Sequence, residues 1–326
     1  MKAYVGVTDG DWYRFLATRP ALTEANFWRP SSGTSFRALR PGEPFFFKTH
    51  HPGRHPVSGF PYDRVVGGGI FEAFEPLPLS EAWEIFGEAN GADNREQMRE
   101  RISKYRRRPI AASEDPIIGC VLLRDTRFFE PPTGPPPGFA PNIVQGKGYD
   151  MYAGSYTDYF TDLMTRLLGD NTADVSQPWR REGPVFGDPR LAPRRLGQRA
   201  FKAVVLNAYG GRCAITGSTI RPVLQAAHIR PVTRGGEHRL DNGILLRSDV
   251  HILFDQGYLA IDTDHRLLVS PRLREEFGAG DEVYRHAGST VTMPTNAADR
   301  PSQAFLEWHR NEVFIAASKS TMGVPN

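Results

Sequence analysis

Short β-rich apolar runs alternate with helix-like stretches over the first half of the chain. Residues 3–7, 44–48, 65–71 and 117–123 are bounded by Gly, Pro and Asp and are expected as strands. Residues 80–87, with Trp83 and Phe86 three apart, and residues 95–107 are expected as helices. Residues 11–16 are expected as a further helix that Thr8, Asp9 or Asp11 is placed to cap. Gly67-Gly68-Gly69 inside a strand pattern predicts a bulge or the close approach of another backbone. The Lys-Ser/Thr of a phosphate-cradling loop does not follow it. The proline-rich stretch 131–138 can propagate neither a helix nor a central strand, so an extended surface loop is expected.

A helix is expected at 156–168, then a polar, Pro/Gly-containing linker at 169–193. Beyond it, Phe201, Val204, Val205 and Ala208 recur at helical spacing within 196–209, and Gly210-Gly211 ends that helix. Residues 223–229 and 243–246 form two strand candidates around a turn containing Gly235-Gly236, and a helical segment at 248–254 follows at once. The order is β, turn, β, helix.

The 326 residues suggest two domains, and 40 Lys+Arg against 37 Asp+Glu is the balance of a soluble globular chain. No apolar run approaches the roughly 20 residues that cross a bilayer, and the N-terminus moves directly into a strand pattern, so a cytoplasmic protein with no membrane partner is expected. Cys120 and Cys213 are too few for a disulfide framework. Between residues 190 and 240, ten Lys/Arg face one acid, Glu237, an excess suited to a polyphosphate. A solvated basic face is the plain alternative.

The chemistry concentrates in Ala226-Ala227-His228-Ile229-Arg230-Pro231, Gly235-Gly236, Asn242-Gly243 and His251-Ile252-Leu253-Phe254-Asp255. His228 ends the first strand, Asn242 opens the second, and His251 and Asp255 lie four apart on one helix face. On these residues, segment 199–255 resembles the HNH nucleases of the ββα-metal fold. The resemblance implies His228 as general base for a water attacking phosphorus, and Asn242 as the residue that steadies its loop. It implies His251, with Asp255, as holder of a divalent ion, Mg²⁺ first and Mn²⁺, Ni²⁺ or Co²⁺ as alternatives. Arg230 and Arg247 are candidate phosphate contacts, or else surface ion-pair partners.

Two departures from that family stand out. Ala227 occupies the position before the base where many members carry a metal ligand. The zinc knuckle of many members is reduced to Cys213, with Arg247 and Val250 where the second Cys pair would lie, so no structural zinc is expected and Cys213 reads as a small buried side chain. His265, His286 and His309 are expected at the surface, and Trp308 and Phe314 in the core.

The first 150 residues resemble an EVE-type domain of the PUA-like group, on Tyr4 to Trp12, Asn26-Phe27-Trp28-Arg29-Pro30, Phe36-Arg37, Pro44 to Lys48 and the glycine triplet. That resemblance implies a small β-barrel with a pocket for a modified base rotated out of the duplex. Trp28, Asn26, Trp12, Phe36 and Tyr62 are the pocket candidates, each also explicable as core. Lys104 to Arg108 suits phosphate binding or a solvated helix end, and His50, His51 and His55 are read as a DNA-facing loop rather than a metal site. Phe45-Phe46-Phe47 should place at least one ring in the core.

The expected fold is α+β: a PUA-like (EVE) small barrel at 1–150, helix and linker at 151–195, and a ββα-metal HNH domain at 196–326. The expected function is an endonuclease acting on double-stranded DNA that carries 5-methylcytosine or 5-hydroxymethylcytosine. A double-strand break implies a homodimer or two bound copies. The alternatives are a nonspecific or structure-directed nicking enzyme and a non-catalytic reader of modified nucleic acid.

Overall fold

The computed structural model describes residues 1–33, 36–52, 57–168, 197–278 and 280–316. The expected linker at 169–193, His55 and the cations Arg190, Arg194 and Arg195 lie outside them. The chain divides into two compact units, Met1–Ala192 and Pro193–Asn326.

The first unit is built on β1 (Lys2–Thr8), α1 (Gly10–Ala17), β2 (Ala25–Arg29), β3 (Pro44–Thr49), β4 (Val65–Pro78), α2 (Leu79–Phe86), α3 (Arg95–Arg106), β5 (Ile117–Thr133), β6 (Gly146–Asp150) and α4 (Thr157–Leu168). The strands form one six-stranded sheet in the order β2-β5-β4-β3-β1-β6, with only β1 and β3 parallel. The long β4–β5 ribbon shifts register three times, and such bulges bend a sheet and deepen its twist. The glycine triplet sits in this bend: a Cβ at Gly67 would lie 2.3 Å from the Arg127 carbonyl oxygen, so only glycine admits that approach.

Side-chain alternation in β3 sorts the three phenylalanines. Phe46 packs with Phe160 of α4 at 5.9 Å, in a core shared with Ala3, Val5, Ile70 and Leu163. Phe45 meets Phe27 at 4.8 Å and Phe47 meets Trp12 at 5.0 Å in a second aromatic cluster. All three rings are buried. Helix α4 thus completes the core of the first unit.

Two expectations are corrected here. The small barrel is an open, curved sheet whose edges are β2 and β6. Arg29 Nη2, at the end of β2, donates to Oε1 of Gln145, the residue before β6, at 3.1 Å, and both residues line a cavity. The proline-rich stretch does not begin a loop at residue 131, because β5 continues to Thr133, which pairs with Val65. Pro131 and Pro132 fall between the paired positions Phe128 and Thr133, where a missing N–H breaks no ladder bond.

The second unit runs α5 (Gln198–Ala208), β7 (Leu224–His228), β8 (Gly243–Arg247), α6 (Ser248–Asp255), β9 (Leu259–Ile261), β10 (Leu267–Val269), α7 (Arg272–Phe277), α8 (Asp281–Tyr284) and α9 (Gln303–Glu312). Strands β7 and β8 pair antiparallel, with His228 opposite Gly243. A Cβ on Gly243 would lie 2.5 Å from Val205, so α5 packs directly on the hairpin. Two further expectations exchange places: His309 is buried, its ring stacked on Phe254 with centroids 3.8 Å apart, while Trp308 and Phe314 are only half-buried.

Candidate active site

The turn after β7 is fixed by Asn242. Its fully buried side chain accepts from Arg230 N at 2.9 Å through Oδ1 and donates through Nδ2 to the carbonyls of Arg230 and Glu237, each at 2.9 Å. The amide therefore satisfies three backbone groups of the segment that leaves His228. The loop itself needs Gly235-Gly236: Gly235 has φ +78°, and a Cβ on Gly236 would lie 1.9 Å from the Arg230 carbonyl oxygen.

His228 lies flat on Phe201 of α5, with centroids 4.2 Å apart and planes at 12°, and its Nε2 is 3.0 Å from Nδ1 of His238. Burial first, then the charges of His238 and His251, lower the His228 pKa to about 4. The ring is therefore neutral at pH 7, the form able to take a proton. His251 and His228 share one electrostatic neighbourhood, but their hydrogen-bond partners differ.

On α6, His251 Nδ1 is 2.7 Å from Gln225 Oε1, and its Nε2 is 3.3 Å from Asp255 Oδ2. An amide oxygen only accepts, so Nδ1 carries a hydrogen, and Nε2, beside the Asp255 carboxylate, is the nitrogen left to meet an ion. Burial raises the Asp255 pKa and His251 counteracts that. The 3.3 Å separation is close to that of adjacent ligands on a divalent ion with bonds of about 2.1 Å. Among the described residues no three His, Cys, Asp or Glu side chains converge into a metal cage. The His251–Asp255 pair would hold a divalent ion with two ligands only, leaving the others to come from water and substrate, as is common for Mg²⁺. Ala227 is buried, and Cys213 is a free buried thiol whose sulfur accepts from Arg247 N at 3.3 Å.

The two arginine candidates differ. Arg247 donates to Asp249 through Nε and Nη2, each at 2.7 Å, and to Glu282 at 2.7 Å, so two carboxylates neutralise it. Arg230 has no carboxylate partner among the described residues; its Nε donates to the Arg234 carbonyl at 2.7 Å and its guanidinium lies 5.2 Å from the centroid of the Trp308 ring.

The first unit holds a cavity of about 560 Å³ whose lining includes Trp12, Phe27, Trp28, Phe36 and Tyr105, with Asp9 and His50 among them and Arg29 and Arg107 contributed as cations. That volume falls within the usual range for small-molecule sites. Both indoles are pinned by their N–H groups: Trp12 Nε1 donates to Asn26 O at 3.2 Å and Trp28 Nε1 to Asn90 O at 3.0 Å. Of the five pocket candidates, Trp12, Trp28 and Phe36 reach the cavity. Asn26 and Tyr62 are not among the lining residues: Asn26 is fully buried and donates to Asn90 Oδ1 at 2.9 Å, while the Tyr62 hydroxyl accepts from Val57 N at 2.8 Å and its ring packs on Phe60.

The sequence pattern does not single out Gln225, His238 or Asp9 as site residues. His238 had one signal available, its place two residues after the Gly-Gly turn that Asn242 ties down. From the basic run 104–108, Tyr105 and Arg107 line the cavity, whereas Arg108 pairs with Glu114 at 2.8 Å.

The second unit thus carries a ββα hairpin with an imidazole at its strand end and a His/Asp pair on its helix. Residues 213–262 match the HNH endonuclease family: the second unit carries an HNH endonuclease domain, and the chain is a nuclease. No curated protein matches the sequence. Among solved structures the chain is similar to a mutant of the ZmASCH protein from Zymomonas mobilis, with 13% identity, a TM-score of 0.33 and coverage of 50% of this chain and 99% of that one. It is also similar to the modification-dependent TagI restriction endonuclease, with 14% identity, a TM-score of 0.30 and coverage of 97% of this chain and 83% of that one. Among the described residues no helix is long and apolar enough to cross a membrane.

Proposed function

We propose that the protein is a modification-dependent DNA endonuclease, whose EVE-like first unit takes a modified cytosine into its aromatic cavity and whose HNH unit hydrolyses a phosphodiester. The observation that carries the specificity half is the 560 Å³ cavity walled by hydrogen-bond-anchored tryptophans. Stacking a rotated base on such walls contributes roughly 1–3 kcal/mol per ring contact, enough to offset much of the few kcal/mol that unstacking costs. In the HNH unit, His228 takes the proton of the attacking water through Nδ1, the nitrogen that the His238 contact leaves open. Asn242 holds the turn that aims it, and His251 with Asp255 would hold the divalent ion. When bound, that ion supplies positive charge to the phosphate and leaving oxygen. Arg230 would meet a neighbouring phosphate.

Digestion of otherwise identical duplexes containing cytosine, 5-methylcytosine, 5-hydroxymethylcytosine or glucosylated cytosine, in Mg²⁺, Mn²⁺, Ni²⁺ or Co²⁺, tests this function. Cleavage confined to methylated or hydroxymethylated DNA, absent in His228→Ala and losing its selectivity in Trp28→Ala, is the expected result. Equal cutting of unmodified DNA would instead favour a nonspecific nicking enzyme.

A further inference from the structure

Helix α9 lies beyond the segment 213–262 that the family match covers, yet it packs on both halves of the candidate active site. His309 stacks on Phe254 of α6, the helix that carries His251, and Leu306 is buried beside it in sequence. Just before the helix, Ser302 N donates to the carbonyl of Asp241 at 2.8 Å, next to the Asn242 that ties the turn. Anchored in this way, α9 sets Trp308 against the turn, with the Arg230 guanidinium over its ring.

Arg230 stands two residues past His228, and its surroundings fix its direction. The Trp308 centroid is 5.2 Å from the guanidinium carbon, Nε donates to the Arg234 carbonyl at 2.7 Å, and a Cβ on Gly235 would lie 3.1 Å from Nη2. Among the described residues the two Nη groups make no hydrogen bond. Two nearby arginines differ. Arg239 also lies over a ring of α9, Phe305 at 5.1 Å, but donates to Asp241 at 2.9 Å, and Arg247 is bonded to Asp249 and Glu282. Of the three, Arg230 keeps its charge and its Nη donors for a ligand. A planar cation with free forked donors fits an oxyanion, and a ring face holds it without using any of its N–H groups.

We propose that Trp308 is the positioning residue of a phosphate subsite, the platform that holds the Nη donors of Arg230 toward the DNA backbone. The inference rests on the phosphate contact proposed for Arg230 above and adds the group, outside the ββα motif, on which that contact depends.

Binding of the full-length chain, without divalent ions, is measured by fluorescence anisotropy over a range of KCl on a 5-methylcytosine duplex and its unmodified counterpart. Phosphate contacts carry no sequence information, so Arg230→Gln should weaken both complexes by a similar factor and reduce the slope of log K against log [KCl] by about one. Trp308→Leu should weaken both by about two- to fivefold, and Trp308→Phe, which keeps an aromatic face, should recover most of that loss. In the Arg230→Gln background Trp308→Leu should cause no further loss, because it acts through the arginine. Circular dichroism checks the fold of each variant. An equal loss in both backgrounds would assign Trp308 to the packing of α9, and an unchanged Kd in Trp308→Leu would show that Arg230 needs no platform; either result overturns this inference and leaves the endonuclease function standing. Wild-type affinity and salt slope in Arg230→Gln would overturn the phosphate contact and the inference with it. Equal binding of the two duplexes by the wild type would overturn the modified-base function and not this inference, which is read from the ratios between variants.

Discussion

Nε2 of His228 and Nδ1 of His238 lie 3.0 Å apart, so one hydrogen is shared between the imidazole at the end of β7 and one in the turn that follows. If that hydrogen sits on His228 Nε2, Nδ1 of His228 keeps its lone pair, which is the tautomer a base needs. His238, accepting that hydrogen through Nδ1, therefore acts as a positioning residue that sets the tautomer of His228.

The sign of the pH effect follows. A His228 pKa near 4 keeps the ring neutral across the physiological range, so the acid limb of kcat/KM should lie well below the ordinary histidine value of about 6.5. In His238→Ala the second-largest cause of that depression is removed, the His228 pKa rises, and the acid limb moves to higher pH while kcat falls. pH–rate profiles of the two proteins on one cleavable duplex check this; coincident acid limbs would exclude the coupling.

Asn242 supplies its prediction through hydrogen bonds. Removing its amide in Asn242→Ala leaves the backbone groups of Arg230 and the Glu237 carbonyl without their partner, an expected loss of about 2–4 kcal/mol. Asn242→Asp keeps the shape but turns an acceptor toward two carbonyl oxygens, so it should be no better than alanine. Urea unfolding monitored at the second unit gives the size, and cleavage should fall in both variants because the turn presenting His228 loosens.

The ββα core was legible in the sequence because its signals are local: a strand pattern, the Gly-Gly turn, Asn242 and a helix beginning where the second strand stops. What escaped depended on partners distant in sequence. Strand β6 is a Gly-rich edge that owes its order to pairing with β1. Residues 25–29 carried the aromatic motif without being assigned as a strand, and β2 forms there by pairing with β5. Within that strand, Trp28 reaches the cavity, while Asn26 turns to Asn90, 64 positions away. His309 reads as a polar position of an amphipathic helix, and only the Phe254 ring stacked against it reveals its burial.

That burial carries its own pH dependence. His309 Nε2 donates to Phe254 O at 3.1 Å, Nδ1 is buried without a partner, and burial holds the pKa at about 4 despite the backbone bond that raises it. Because the folded pKa lies below the unfolded value, the unfolded chain takes up the proton first. Stability is then present above about pH 6.5 and is lost progressively as pH falls toward 4, by about 3 kcal/mol at most. His309→Phe keeps the stacked ring and removes the proton, so the unfolding midpoint of the variant should fall less between pH 7 and pH 4.5 than that of the wild type. Parallel declines in the two proteins would assign acid sensitivity to other groups.

Gln225 stands behind the proposed ion site as His238 stands behind the base. Its Oε1 holds Nδ1–H of His251 at 2.7 Å, which turns Nε2 toward Asp255. Partners of this kind typically change metal affinity by about 10–100-fold when removed, because the ligand loses both orientation and basicity. In Gln225→Leu the half-saturating concentration of Mn²⁺ should rise within that range, read by calorimetry on the free protein and by metal titration of cleavage. The rate at saturating Mn²⁺ should change much less, since neither His228 nor its turn is touched. Gln225→Glu, which offers a stronger acceptor to the same nitrogen, should retain or tighten Mn²⁺ binding. Unaltered affinity in the leucine variant would mean that the ion, if held, does not depend on the orientation of His251.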